Sequence, residues 1–259
     1  MNILVTNDDG IQSPGIIALS QALKQIGDVL VVAPDKQQSG VGSCISLHDD
    51  MRISEADFPV ANVKAYMVGG TPTDCVMLGL RRLATEHIDV LVSGINLGPN
   101  VGRDILYSGT VMATLQGYYR KIPSIAVSLF NENHEERHDY AVAGQFMKSL
   151  VLNICGGTLN VDAVLNVNVP NLPAQQIKGV RTTRTASTGY VNLASHRHGQ
   201  DIKYSLEMDA AVKNNLENGT DIWAIHQGYI SVTPLQFKLT HFDIMSKLNE
   251  SISNRENWF

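Results

Sequence analysis

Cysteine is scarce in this chain: three in 259 residues (Cys44, Cys75 and Cys155), odd in number and far apart, with no Cys-x-x-Cys. That excludes a disulfide framework and a thiolate zinc site, and it fits a reducing compartment. An excess of one charge is lacking too. Twenty basic and 25 acidic residues leave a net charge of −5 with no long basic run, so a nucleic-acid duplex is not an expected partner. No apolar stretch is long enough to span a bilayer, and the first strand starts at Asn2 with no signal peptide before it. The expectation is a soluble, cytoplasmic protein that does not associate with membranes. Also missing are a Gly-x-Ser-x-Gly elbow, a P-loop, and a Gly-x-Gly-x-x-Gly after the first strand. Serine-hydrolase, P-loop and dinucleotide chemistry therefore lack support.

What is present is apolar matter arranged in alternation. At 44% hydrophobic, the chain can bury a sizeable core. Ile3-Leu4-Val5 reads as a buried strand, followed by a helix from Pro14 to about Ile26 and a strand over Val29–Val32. Further strands are expected at Val63–Val68, Ile88–Val92, Ile122–Leu129 and Val164–Val169. Helices are expected from Thr71-Pro72 to about Ala84, from Val111 to Tyr119, and from about Asp139 to Cys155. The fold class is α/β: a three-layer, Rossmann-like arrangement with a mostly parallel sheet flanked by helices. After Pro170 the pattern changes. Arg181 to Glu207 suggests a long hairpin arm, Ile222 to Leu235 another strand pair, and Phe242 to Leu248 a terminal helix. The expected division is a core over 1–170 and a β-rich arm and tail over 171–259.

The first strand ends in Asn7-Asp8-Asp9-Gly10. Adjacent strand residues point to opposite faces, so two carboxylates can serve one site only where the chain leaves strand geometry. Gly10 permits that turn. Two such charges about 4 Å apart repel by roughly 1 to 4 kcal/mol, depending on the local dielectric. A hard divalent cation is the obvious neutraliser.

In an open parallel sheet, ligands bind beyond the carboxyl ends of the strands. The second strand leads into Ser39-Gly40-Val41-Gly42-Ser43, and the fourth expected strand runs into Ser93-Gly94-Ile95-Asn96. These clusters share an edge with Asp8 and Asp9. Their donors are all oxygen or amide, which suits Mg²⁺ or Mn²⁺. Tyr107-Ser108-Gly109-Thr110 precedes a helix, where free N–H groups and the helix dipole favour an anion. A cation beside an anion pocket points to phosphate-ester chemistry. Each motif also has an ordinary use, Asp-Asp-Gly as a turn and Ser-Gly-Thr as a helix cap. Their coincidence at one edge carries the functional reading. His196 and His198 read as arm residues, His226 and His241 have no readable partner, and Asp74 reads as a first-turn helix acid.

Several segments together resemble the SurE family: Val5-Thr6-Asn7-Asp8-Asp9-Gly10, Ala33-Pro34-Asp35 with Gln38-Ser39-Gly40, Gly70-Thr71-Pro72-Thr73-Asp74-Cys75-Val76, Ser93-Gly94-Ile95-Asn96 and Tyr107-Ser108-Gly109-Thr110-Val111. Ile122-Pro123-Ser124-Ile125-Ala126-Val127-Ser128, Gly219-Thr220-Asp221 and Gly228-Tyr229-Ile230-Ser231-Val232-Thr233-Pro234-Leu235 extend the similarity over nearly the whole chain. The resemblance implies a metal-dependent phosphatase of nucleoside 5′- and 3′-monophosphates, with short polyphosphate as a further substrate of some members. It implies one divalent ion per subunit, held by Asp8, Asp9, Ser39 and Asn96, with Asp8, Asp9 and Asn96 catalytic. Phosphate contacts would come from Gly40, Asn96, Ser108, Gly109 and Thr110. It further implies a homodimer or homotetramer assembled through the C-terminal arm. Met112 and Arg103 depart from the family pattern and bear on pocket shape only. From another class, a nucleotide-binding regulator could use the same pocket without hydrolysis.

Overall fold

A computed structural model of the protein describes residues 1–131, 138–198, 201–208, 212, 214 and 216–253. The tip of the expected arm at 199–200 and the tail at 254–259 lie outside these. The elements of the first part of the chain are β1 (Asn2–Thr6), α1 (Pro14–Leu23), β2 (Asp28–Pro34), β3 (Ile53–Glu55), β4 (Lys64–Val68), α2 (Pro72–Leu78), β5 (Val90–Leu97), α3 (Gly109–Ala113), α4 (Leu115–Tyr118), β6 (Ser124–Phe130), α5 (Ala141–Cys155) and β7 (Val164–Pro170). Then come β8 (Val180–Thr182), β9 (Val191–His198), β10 (Asp201–Met208), α6 (Asp221–His226), β11 (Ile230–Leu235) and α7 (Phe242–Ser253).

Strand alternation explains the three layers. Ile3 and Val5 of β1 pack into a core with Ile16, Leu19 and Leu23 of α1 and Ala143, Met147 and Val151 of α5. Leu4, pointing the other way, packs with Cys75 and Val76 of α2 and Ala113 of α3. A strand apolar on both faces must be covered on both, which is why it sits centrally in a parallel sheet.

The nine-stranded sheet has the order β3-β4-β2-β1-β5-β6-β7-β11-β8. From β4 to β7 all neighbours are parallel, while β3 and β11 pair antiparallel with β4 and β7. Counting only the parallel strands along the chain, their order is the doubly wound 3-2-1-4-5-6. The direction of winding reverses between β1 and β5, and in open sheets of this kind ligands bind beyond the carboxyl ends of the strands at that point.

Several elements differ from expectation. Ile222 to Leu235 is not a strand pair: its first half is α6, capped by Thr220, whose Oγ1 accepts the Trp223 N–H at 3.3 Å. Thr220-Asp221 is a helix-start signal that the apolar residues after it obscured. The helix expected from Val111 to Tyr119 starts earlier and breaks at Thr114 into α3 and α4, and the one from Thr71 continues beyond Leu78 only as a wider turn over Gly79–Leu83. β3, three residues long, was too short to show a period. The expected arm is a separate two-stranded antiparallel sheet of β9 and β10.

Asparagines organise the loop beyond β5. On β7, Asn168 Oδ1 accepts the Asn100 N–H at 2.9 Å, and the Nδ2 groups of Asn166 and Asn168 donate to the Asn100 carbonyl at 2.7 and 2.9 Å. Asn100 Nδ2 donates to Ser128 Oγ at 2.8 Å. Asn168→Ala would strip a buried N–H of its acceptor and a carbonyl of one donor, at a cost of about 2 to 4 kcal/mol. A urea titration should show this as a lower midpoint; an unchanged midpoint would mean the network is replaceable by solvent.

Candidate functional site

Asn7 solves the problem of two adjacent carboxylates. Its side chain is fully buried, and its Nδ2 donates to the Gly10 carbonyl at 2.9 Å and to Ser13 Oγ at 2.8 Å, curling the chain out of β1. Gly10 takes φ +94°, where an L side chain would be strained. Sequence reasoning missed Asn7, although an Asn ahead of a glycine turn is a recognisable local signal.

Asp8 is buried at 4% exposure and lies against the start of α3. The Thr110 hydroxyl donates a short hydrogen bond to its Oδ1. A Cβ placed on Gly109 would lie 3.0 Å from Asp8 Cβ and 3.1 Å from its Oδ2, so only glycine lets the helix start approach this closely. Asp9 Oδ2 accepts the Leu97 N–H at 3.1 Å, which brings it beside Asn96. Gln37, also missed, faces Asp9 and donates to Ser39 Oγ at 3.0 Å, so one amide links two candidate ligands. Asn96 stands where the β5–β6 register breaks, and its Nδ2 donates to the Gly98 carbonyl at 2.8 Å, leaving the amide oxygen as its free donor atom.

The loop after β2 closes over this edge. The Gln38 N–H donates to the Asp8 carbonyl at 2.7 Å, and the Gly42 N–H to that of Tyr107 at 2.9 Å. Ser39 and Gly40 are exposed at its rim. Ser108 caps α3, accepting the Val111 N–H at 3.1 Å, which leaves its hydroxyl proton for another acceptor. Asp74 is the expected first-turn acid and more: it completes a capping box with Thr71 and accepts Ser46 Oγ at 2.8 Å, tethering the far end of the same loop.

The histidines fall elsewhere. His196 faces Ser205 within the arm, His241 accepts the Ile244 N–H at the start of α7, and His226 meets Tyr190 OH at 2.6 Å beside a separate cavity of about 500 Å³. The side chain of His198 lies outside what is described.

The electrostatics fit a cation. Burial pushes the Asp8 carboxyl up to about 6, with Thr110 pulling down and the Asp9 charge pushing up. Asp9 is raised as well, mainly by burial, against the Leu97 N–H and Gln37. Thr6 Oγ1, Asn7 Oδ1 and Ser93 Oγ at these strand ends are buried without a hydrogen-bond partner among the described residues. Two unneutralised carboxylates in a setting of oxygen donors suit a hard divalent ion. Among the described residues no three of His, Cys, Asp and Glu converge, so neutral oxygens must complete any such site.

For the metal-free protein this has a pH signature. A carboxyl held at about 6 when folded, against 3.8 unfolded, keeps its proton longer in the native state. Its contribution to stability is full below the unfolded value and is lost as pH rises through about 6, roughly 3 kcal/mol in all. Compared with an Asp8→Asn variant in chelator, the wild type should therefore lose ground between pH 4 and pH 6 to 7. A parallel pair of midpoint-versus-pH curves would refute the burial argument.

Comparison with known proteins identifies the family. A family model described as "Survival protein SurE" matches residues 3–192. The chain belongs to the SurE family. It is 41% identical over 239 residues to the 5′-nucleotidase SurE of Dehalococcoides mccartyi (strain CBDB1), covering 92% of this chain and 90% of that one. With the 5′-nucleotidase SurE of Pelotomaculum thermopropionicum it shares 39% over 264 residues, covering 99% of each. The crystal structure of the SurE protein from Aquifex aeolicus superposes with a TM-score of 0.83 at 36% identity, covering 97% of this chain and all of that one.

Proposed function

We propose that this SurE-family chain is a divalent-metal-dependent phosphatase that hydrolyses nucleoside 5′- and 3′-monophosphates, and short polyphosphate as well. The observation that carries the reading is the contact of Asp8 with the Gly109-Thr110 helix start at the sheet's switch point. It puts a carboxylate pair in need of a cation beside N–H groups in need of an anion. Asp8, Asp9, Ser39 and Asn96 would hold one Mg²⁺ or Mn²⁺ per subunit. Bound there, the ion would supply charge stabilisation to the phosphate and acidity to a water.

The chain's own residues do the rest. Ser108 donates its hydroxyl proton, and Gly109 its N–H, to phosphate oxygens, with the Gly40 N–H and Asn96 at the opposite rim. Thr110 completes this segment while its hydroxyl donates to Asp8, orienting that carboxylate. Asp8 or Asp9 takes a proton from the attacking water as the water oxygen bonds to phosphorus and the bond from phosphorus to the nucleoside oxygen breaks, and the departing nucleoside oxygen takes its proton from solvent.

In this reading residues 1–170 carry the chemistry and residues 171–259 serve assembly. The arm exposes Leu193, Ile202 and Tyr204, and α7 exposes Phe242, Met245 and Leu248. Apolar surface of that extent supports a homodimer or homotetramer. Among the described residues no helix is long and apolar enough to cross a membrane. The free thiols Cys44, Cys75 and Cys155 fit a cytoplasmic setting.

Incubation with AMP and Mn²⁺, with free phosphate measured, tests the assignment. Release that stops with chelator and resumes with added Mn²⁺ is expected. Tight nucleotide binding without release would favour a non-hydrolytic regulator.

A further inference from the structure

The segment that leads into the phosphate grip is fastened to the base of the arm. Gly102–Tyr107 forms a tight 3₁₀ turn, and Ser108, Gly109 and Thr110 follow it directly. Inside the turn, Asp104 is 9% exposed. Its Oδ2 accepts the N–H of Tyr190, and that of Val191 at 3.2 Å, where β9 begins. The Arg103 N–H donates to the Thr188 carbonyl at 3.2 Å. A second buried carboxylate, Asp221, accepts the Gly102 N–H at 2.8 Å and that of Ala186 at 2.9 Å. Next to Asp104, Ile105 receives the Ser108 N–H on its carbonyl at 3.3 Å. The path from the arm to the helix cap is thus one side chain and two hydrogen bonds long.

A carboxylate buried in this way is costly unless its acceptor capacity is needed. That capacity is used here on the arm side, by the successive N–H groups of Tyr190 and Val191. Tyr190 is itself fixed, its ring stacked 6.3 Å from that of Phe130 at the end of β6. The arm base is therefore anchored to the end of β6, and the 102–107 turn is fastened to it.

We propose that Asp104 is a positioning residue for phosphate recognition: by clamping the turn to the arm base it sets where Ser108 and Gly109 present their donors. The inference rests on the nucleotidase reading for the identity of the anion. Asp104 lies outside the cation's ligand set, so its role separates from theirs. Donor misplacement of this kind weakens phosphate binding while leaving Asp8, Asp9 and Asn96 as they are.

Two substitutions attack the clamp from opposite sides. Asp104→Ala removes the oxygen that accepts both N–H groups. Gly189→Ala places a Cβ into the Asp104 carboxylate from the arm side, so it stays informative if Asp104→Ala does not fold. Each variant should raise KM for AMP and the calorimetric Kd for inorganic phosphate in Mn²⁺ by about tenfold, with Mn²⁺ affinity within about twofold of wild type. A merely structural role would lower the thermal midpoint and leave KM and the phosphate Kd of the folded fraction unchanged, which would overturn the proposal. Parallel losses of phosphate and Mn²⁺ affinity would overturn it too. The phosphate Kd is measurable without turnover, so a wild type that binds phosphate yet releases none from AMP would count against the nucleotidase reading alone.

Discussion

Replacing Asp8 by Asn is expected to leave a folded protein whose turnover has fallen by at least about 10² to 10³, roughly 3 to 4 kcal/mol of barrier. The side chain keeps its shape, and its remaining oxygen can still accept the Thr110 hydroxyl. What disappears is one of the two charges that answer a cation. The folded state should not suffer. Asp8 is nearly fully buried and its carboxyl is pushed up to about 6, so near neutral pH the metal-free wild type carries a charge its surroundings disfavour. In chelator at pH 7 the variant should melt at or above the wild-type temperature. Loss of activity together with gain of metal-free stability separates a functional carboxylate from a structural one. Near-full turnover of the variant at saturating Mn²⁺ would sink the assignment of Asp8 as a metal ligand.

Gly109→Ala is expected to have the next largest effect, through shape instead of charge. The added methyl would lie 3.0 Å from Asp8 Cβ, 3.1 Å from Asp8 Oδ2 and 3.2 Å from Val41 Cγ2, on a helix start that holds Asp8 through Thr110. None of these neighbours is the free end of a flexible side chain. Either α3 shifts outward and loses the Thr110 contact, or the carboxylate turns off its line. Turnover should fall by about 10²-fold, with a stability loss of about 1 to 3 kcal/mol from overpacking. Turnover read beside a thermal melt checks both, and wild-type kinetics would mean that the approach of helix to carboxylate is slack. Opposite stability changes in the two variants would place charge and packing on different sides of the same carboxylate.

Much of the fold could be read along the chain because burial on both faces of a parallel strand leaves an unbroken apolar run. Ile3-Leu4-Val5, Val29 to Val32 and Val164 to Val169 are such runs, and all three are strands of the large sheet. The reading failed where the deciding interaction was polar or very short. α6 reads as a strand in the sequence because its apolar residues outweigh Thr220 and Asp221. β3 has only three residues, and its edge position comes from pairing with β4, which no local pattern encodes.

The sequence by itself determined the chemistry on offer: Asp8 and Asp9 together at a strand end, amide and hydroxyl oxygens at two others, and a capped helix start in Ser108-Gly109-Thr110. Residue type and local spacing carry that much, since turns and caps are short-range. Tertiary structure alone decided which groups meet. Thr110 reaches Asp8 across 102 residues, Leu97 reaches Asp9 across 88, and Tyr190 reaches Asp104 across 86. Gln37, facing Asp9, and Asp104 gained their positions by the same means. Those contacts depend on strand order, and strand order follows from burying two apolar faces at once, a property of the whole sheet that no single segment contains.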